Sequence, residues 1–135
     1  MLTTVQEWLE RMELDAEPTS ENMFLVRYGS TVVCISIFEH QGQSFVRMAA
    51  TMLVGIRPKL ELLTRIFRLN ARVLFGSFQL FDDETLCFTH TLLARSLDFE
   101  TFEHALHYVG RVADDHDEAF QALGGGERME EILDS

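Results

Sequence analysis

Hydrophobic and polar positions alternate most sharply between Phe67 and Leu93. Val73, Phe75, Ser77 and Gln79 alternate with Leu74, Gly76, Phe78 and Leu80, which predicts a strand with large apolar groups on each face. Phe81-Asp82-Asp83-Glu84-Thr85 reads as a polar turn. The return run places Leu86, Phe88, His90 and Leu92 on one face and Cys87, Thr89 and Thr91 on the other. A hairpin that is apolar on both faces needs cover on both. Helices supply one cover, and a second protein chain is a candidate for the other. Phe75 and Phe78 are expected core residues.

The same reading extends to both ends. Val5, Trp8, Leu9 and Met12 fall at helical spacing and predict a helix from about Val5 to Glu13, with Thr4 and Glu7 as a capping box. Asp15 to Asn22 is a loop broken by Pro18. Three strand-like runs follow: Met23 to Tyr28, Thr31 to Glu39 and Ser44 to Val54. Their short connections predict an antiparallel meander. In the middle run, Val32, Cys34, Ser36 and Phe38 share one face and Val33, Ile35 and Ile37 the other.

Pro58 suits the start of a helix over about Lys59 to Leu69. Leu60, Leu63, Ile66 and Phe67 read as its inward side, and Asn70 as a left-handed C-cap. The last helix starts after Asp98, an N-cap flanked by Leu97 and Phe102 as a hydrophobic staple. It stops at Gly124-Gly125-Gly126, and Glu103, Asp114, Asp117 and Glu118 read as its wet side. The order is α-β-β-β-α-β-β-α. This is an α+β fold, a mainly antiparallel sheet with helices packed on it. One domain is expected over residues 1–123, followed by a Gly-rich break and an acidic tail over 124–135.

Composition narrows the function classes. The 135 residues are 47% hydrophobic, with 11 Phe, which argues for a packed core and against disorder. No apolar run approaches the ~20 residues of a membrane span, and the N-terminal residues lack a signal-peptide pattern. Cys34 and Cys87 sit in predicted strands and read as buried reduced thiols of a cytoplasmic protein, a disulfide being the alternative. The net charge of −11 would repel nucleic acid and anionic membrane. Its distribution is uneven: the segment from Arg47 to Arg72 holds six basic residues against Glu61, while the acidic groups crowd into the C-terminal half. These segments can pair within or between subunits, or be two solvated faces.

A convergent catalytic site is not visible. Gly76-Ser77 lacks the flanking glycines of a nucleophile elbow, and Gly124 to Gly126 lacks the Lys of a phosphate loop. Cys87 and His90 fall on opposite faces of one strand. His104 and His107 lie three apart, with His116 further along the helix, and imidazoles at such spacing can hold a divalent metal. The alternatives are thus a metal-dependent enzyme or sensor using His104, His107 and His116, or a solvated helix face with no metal and no cofactor.

From Arg65 to Phe120 the chain resembles the YbjN-like family. The resemblance rests on Leu69-Asn70, Phe75-Gly76-Ser77-Phe78, Thr89-His90-Thr91-Leu92 and the helix start Asp98 to Phe102. That family is similar in fold to type III secretion chaperones, small acidic dimers that hold extended segments of partner proteins. The acidic balance here, with pI ≈ 4.7, is similar to theirs. The resemblance implies a non-enzymatic, chaperone-like or regulatory module that binds a partner protein or peptide segment through apolar patches on the first helix and the sheet. Trp8, Met12, Val33, Ile35 and Ile37 are the expected protein-binding residues. Core packing is the other reading of Trp8. A homodimer is expected near the second helix, with Arg65, Phe67, Arg68, Arg72 and Leu74 at the interface, an apolar centre rimmed by Arg.

Overall fold

A computed structural model describes residues 1–19 and 22–134. Ser20 and Glu21, in the loop read at 15–22, and the terminal Ser135 lie outside the described residues. The first helix, α1, spans Leu2–Arg11. It starts earlier than its apolar spacing suggested, so Thr4 lies inside it and makes no capping bond. The expected meander is present as β2 (Met23–Tyr28), β3 (Thr31–His40) and β4 (Gln43–Val54). Gln41 and Gly42, both at positive φ, form the two-residue turn between β3 and β4. The second helix, α2, covers Leu60–Asn70 and crosses to β5 (Ser77–Leu80), which returns as β6 (Thr85–Leu93). A 3-10 turn at Ala94–Ser96 leads into α3, Phe99–Gly124. Asp98 caps α3 as expected, accepting from Thr101 N at 2.8 Å.

Two strands join the sheet that the local pattern did not announce. Ala16–Pro18 forms a short edge strand, β1, against β2. The segment read as a tail also pairs: Glu127–Arg128 forms β7 against Val54 and Leu53, and α4 (Met129–Leu133) follows. β3 stops pairing with β4 at Thr51, and β7 takes up that vacated side of β4. The seven strands are all antiparallel to their neighbours, in the order β1-β2-β3-β4-β6-β5 with β7 beside β4.

One face of the sheet carries the core. Phe24, Val26, Val33, Ile35, Val46, Met48, Ala50, Leu86 and Phe88 are buried against α1, α2 and α3. The opposite face is more open and carries Phe38 stacked on Phe45 at 5.6 Å, with the Arg47 guanidinium 4.7 Å from the Phe38 ring centre. The long-range fit decides which side of α2 faces in. Leu62 and Ile66 are buried, whereas Leu60, Leu63 and Phe67 point outward, which corrects the inward set read from the sequence. Asn70 is the last helical residue and not a left-handed cap, because the residue after it is also right-handed. Phe78 is buried as expected, but Phe75 is 54% exposed. The strand starts only at Ser77, so residues 73–76 form a bend and not a strand.

Candidate functional site

The residues singled out from the sequence do not form one surface. Val33 and Ile35 are buried completely in the helix-facing core, so they offer nothing to a partner, which corrects their assignment as binding residues. Ile37 and Met12 are half-buried against the same core. Trp8 is also half-buried, with its ring 5.2 Å from Phe102 and 6.4 Å from Phe99, tying α1 to α3. On α2 the proposed interface splits in two. Phe67 and Leu74 are 78% and 81% exposed, and Phe67 lies on an apolar ridge with Leu60 and Leu63. At 100° per residue, Arg65, Arg68 and Arg72 fall on the other flank, beside Leu123 of α3.

The short motifs near the central hairpin do converge. Asn70 Nδ2 donates to Phe78 O at 3.1 Å, and Phe78 N donates to Asn70 Oδ1 at 2.7 Å. The side-chain amide thus stands in for a neighbouring strand at one residue of the β5 edge. Gly76 sits at φ +72, and a Cβ there would lie 2.5 Å from Thr89 O. Only glycine lets the chain leave β6 at that point. Phe75 then folds over β6, 5.6 Å from the His90 ring and 5.5 Å from Tyr108, while Leu74 N donates to Tyr108 Oη at 2.9 Å.

This exit leaves part of β6 without a neighbour. β5 pairs β6 only from Leu86 to Thr89. Because the polar backbone groups of Phe78 face Asn70, Phe78 and Phe88 form a non-hydrogen-bonded pair. The alternation of a strand then turns the N–H and C=O of Thr91 toward the open edge, and no described residue meets them. The Thr91 side chain points to the open face, where Arg47 Nε donates to its Oγ1 at 3.1 Å. On the helix side of the same edge lies a cleft of about 230 Å³ lined by Phe75, His90, Leu92, Thr101, His104 and Ala105, with Glu100 at its margin. Burial lowers the pKa of His90, so the imidazole is held toward its neutral form. Sequence spacing identified His90 and Leu92 as one face, but the bend that frees Thr91 has no local signature.

Histidines do not gather elsewhere. Tyr28 Oη and His107 Nδ1 are 2.9 Å apart, and His116 Nδ1 is 2.9 Å from Val112 O, with its ring against Phe78 and Phe120. Among the described residues no three His, Cys, Asp or Glu side chains are placed to share a metal ion. The set His104, His107 and His116 is therefore not brought together, since each ring faces a different element. Cys34 and Cys87 are free thiols, and burial raises the pKa of Cys87 to about 11, which makes it a poor nucleophile.

At the far end of α3, Asp117 is buried in a polar cluster and is not on the wet side. Ser30 N donates to Asp114 Oδ1 at 2.8 Å, and Ser30 Oγ bonds both Asp114 and Asp117. Asp117 is only 1% exposed, and its burial pushes the carboxyl above the usual Asp value against the opposing effects of Ser30 and Arg128. Arg128 also pairs with Glu118, Glu130 and Glu131, which fixes β7 and α4 to α3. The cluster holds the C-terminal segment to the fold.

Residues 1–132 match the TY-Chap1 family, described as T3SS (YopN, CesT) and YbjN peptide-binding chaperone 1. Among solved structures, YbjN from E. coli, a candidate transcription regulator, aligns with a TM-score of 0.65 at 15% sequence identity. The alignment covers 88% of this chain and 93% of that chain. At that identity the likeness is one of fold. No curated protein matches the chain in sequence. The α+β architecture and the YbjN-like resemblance read from Arg65 to Phe120 are both borne out. Among the described residues no helix is long and apolar enough to cross a membrane.

Proposed function

The chain belongs to the TY-Chap1 family, and from that premise we propose that it is a non-enzymatic, cytoplasmic, chaperone-like module that holds extended segments of a partner protein. The observation that carries this reading is the unpaired edge of β6 at Thr91 beside the apolar cleft of Phe75, His90, Leu92 and Ala105. A partner segment adds there as a strand, using the free Thr91 N–H and C=O for its main chain. Its side chains opposite His90 and Leu92 drop into the cleft, and those between them point to the open face near Arg47. Two other edges are partly blunted: Asn70 takes up the outward groups of Phe78 on β5, and the outward groups of β1 belong to Ala16 and Pro18, the latter without an N–H.

Thr91→Pro tests the edge. It removes a donor that the β6 to β4 ladder does not use, so the fold persists by circular dichroism. An alternating apolar peptide that binds the wild type is expected to lose at least tenfold in affinity. Retained affinity in the folded variant places the segment elsewhere.

The module acts as a homodimer in this reading. The apolar ridge of Leu63 and Phe67 on α2, with Leu74 beyond its end, is the surface that a second copy covers. Arg65, Arg68 and Arg72 fall on the other flank of α2 and lie outside that contact. Phe67→Glu is expected to give a folded monomer by light scattering. A folded variant that is still dimeric, or a monomeric wild type at micromolar concentration, overturns this interface.

A further inference from the structure

The groove between α2 and the end of α3 has a chemistry of its own. It measures about 580 Å³ and is lined by Arg65, Arg68 and Arg72 together with Leu60, Leu69 and Leu123; Thr64 and Glu61 complete it. Among the described residues, the ion pairs are made by Arg27 and Arg128, so none of these three guanidinium groups has a carboxylate partner. Three of the 11 basic residues of a chain of net charge −11 line this one groove, and among the described residues none of the three is in an ion pair. The C-terminal dipole end of α2 accounts for Arg68 alone. We propose that this groove binds a short acidic segment of a partner polypeptide, its carboxylates on Arg65, Arg68 and Arg72 and an apolar residue on Leu60, Leu69 and Leu123.

Dimensions and charge select that occupant. Arg65 and Arg72 are two helical turns apart, about 10 Å along the axis. An extended chain covers that distance in about three residues, so carboxylates at alternate positions meet successive guanidinium groups. Arg binds carboxylate in bidentate fashion, which supplies direction as well as charge. Nucleic acid fits less well. Its charges recur every ~1.7 Å along a duplex and continue past the groove, onto the surface of an acidic protein that repels them. The apolar floor also has no use for a phosphate backbone. The groove is separate from the Thr91 edge: Ala105 and Leu123 are roughly 27 Å apart along α3. The inference therefore stands whether or not a strand adds at Thr91.

The test is fluorescence anisotropy on the full chain with a labelled peptide of alternating Glu and Leu. Its Lys-Leu counterpart and a single-stranded oligonucleotide of equal charge serve as comparisons. The acidic peptide is expected to bind, to weaken as salt rises, and to lose more than tenfold in affinity in the exposed Arg65→Gln/Arg68→Gln/Arg72→Gln variant. Thr91→Pro is expected to leave that affinity unchanged, which separates this site from the strand-addition edge. Equal binding by the Arg variant overturns the assignment, as does an oligonucleotide that binds at least as tightly as the peptide. No binding by the wild type at millimolar peptide does so too. If the Arg variant instead converts a wild-type dimer to monomer, the groove belongs to a second copy and the proposal is overturned.

Discussion

The Asn70 side-chain amide both donates to the carbonyl of Phe78 and accepts from its N–H, at 3.1 and 2.7 Å. A helix-terminal side chain thereby satisfies both outward backbone groups of one residue of an edge strand. It ties α2 to β5 and turns the backbone of Phe78 away from β6, which sets the register that leaves Thr91 open. Asn70→Ala is expected to lower stability by about 1–3 kcal/mol, because two partly buried backbone groups lose their partner. Asn70→Asp keeps the acceptor for Phe78 N but sets a carboxylate oxygen against Phe78 O, so it is expected to lose stability as well. Urea denaturation of both variants checks this, and an unchanged midpoint for Asn70→Ala would show that the amide contributes nothing net.

Gly76 and Gly42 both sit at positive φ, at +72 and +77, but in different surroundings. A Cβ at Gly42 meets nothing within 4 Å, whereas one at Gly76 meets Thr89 O at 2.5 Å. Gly42→Ala is expected to lose about 1 kcal/mol from backbone strain alone. Gly76→Ala is expected to lose clearly more, since the bend must also move off β6. Equal shifts in thermal midpoint would mean that the contact with Thr89 relaxes freely.

Thr89 Oγ1 is buried without a hydrogen-bond partner among the described residues. Replacing the hydroxyl by a methyl of the same shape removes that desolvation loss. Thr89→Val is therefore expected to raise stability by up to about 1 kcal/mol. A destabilised variant would point to a hydrogen bond made by this hydroxyl.

The Asp117 carboxyl gives stability a pH dependence. Burial raises its pKa in the folded state above the ordinary 3.8. The folded state thus binds the proton more tightly, so this group favours folding most below pH 3.8. That contribution is lost as pH rises through the raised folded value. Asp117→Asn keeps an acceptor for Ser30 and removes the buried charge. The stability of the variant relative to wild type is expected to increase from pH 4 to pH 7. A constant difference across that range would show that Asp117 titrates normally.

Local pattern determined much of this protein. Alternation and two short turns specify β2 to β4, because a meander closes through neighbouring residues. Asp98 announces α3, since a cap is a bond across three positions. The Asn70, Gly76 and His90 motifs were visible as residues and carried the family resemblance, although their meeting at one edge was not. Tertiary structure decided what lies far apart in the chain. β1 and β7 pair through backbone groups that any residue carries, so no side-chain period marks them. The middle strand is apolar at both parities, and only the placement of the helices on one side buries Val33 and Ile35 and leaves Cys34 partly exposed. On α2, the apolar residues spread over half of the circumference, so periodicity alone could not say that Leu62 and Ile66 face inward and Phe67 outward. That choice follows from where the crossover from β4 to β5 lays the helix against the sheet, a constraint set by chain geometry and not by the helix's own residues.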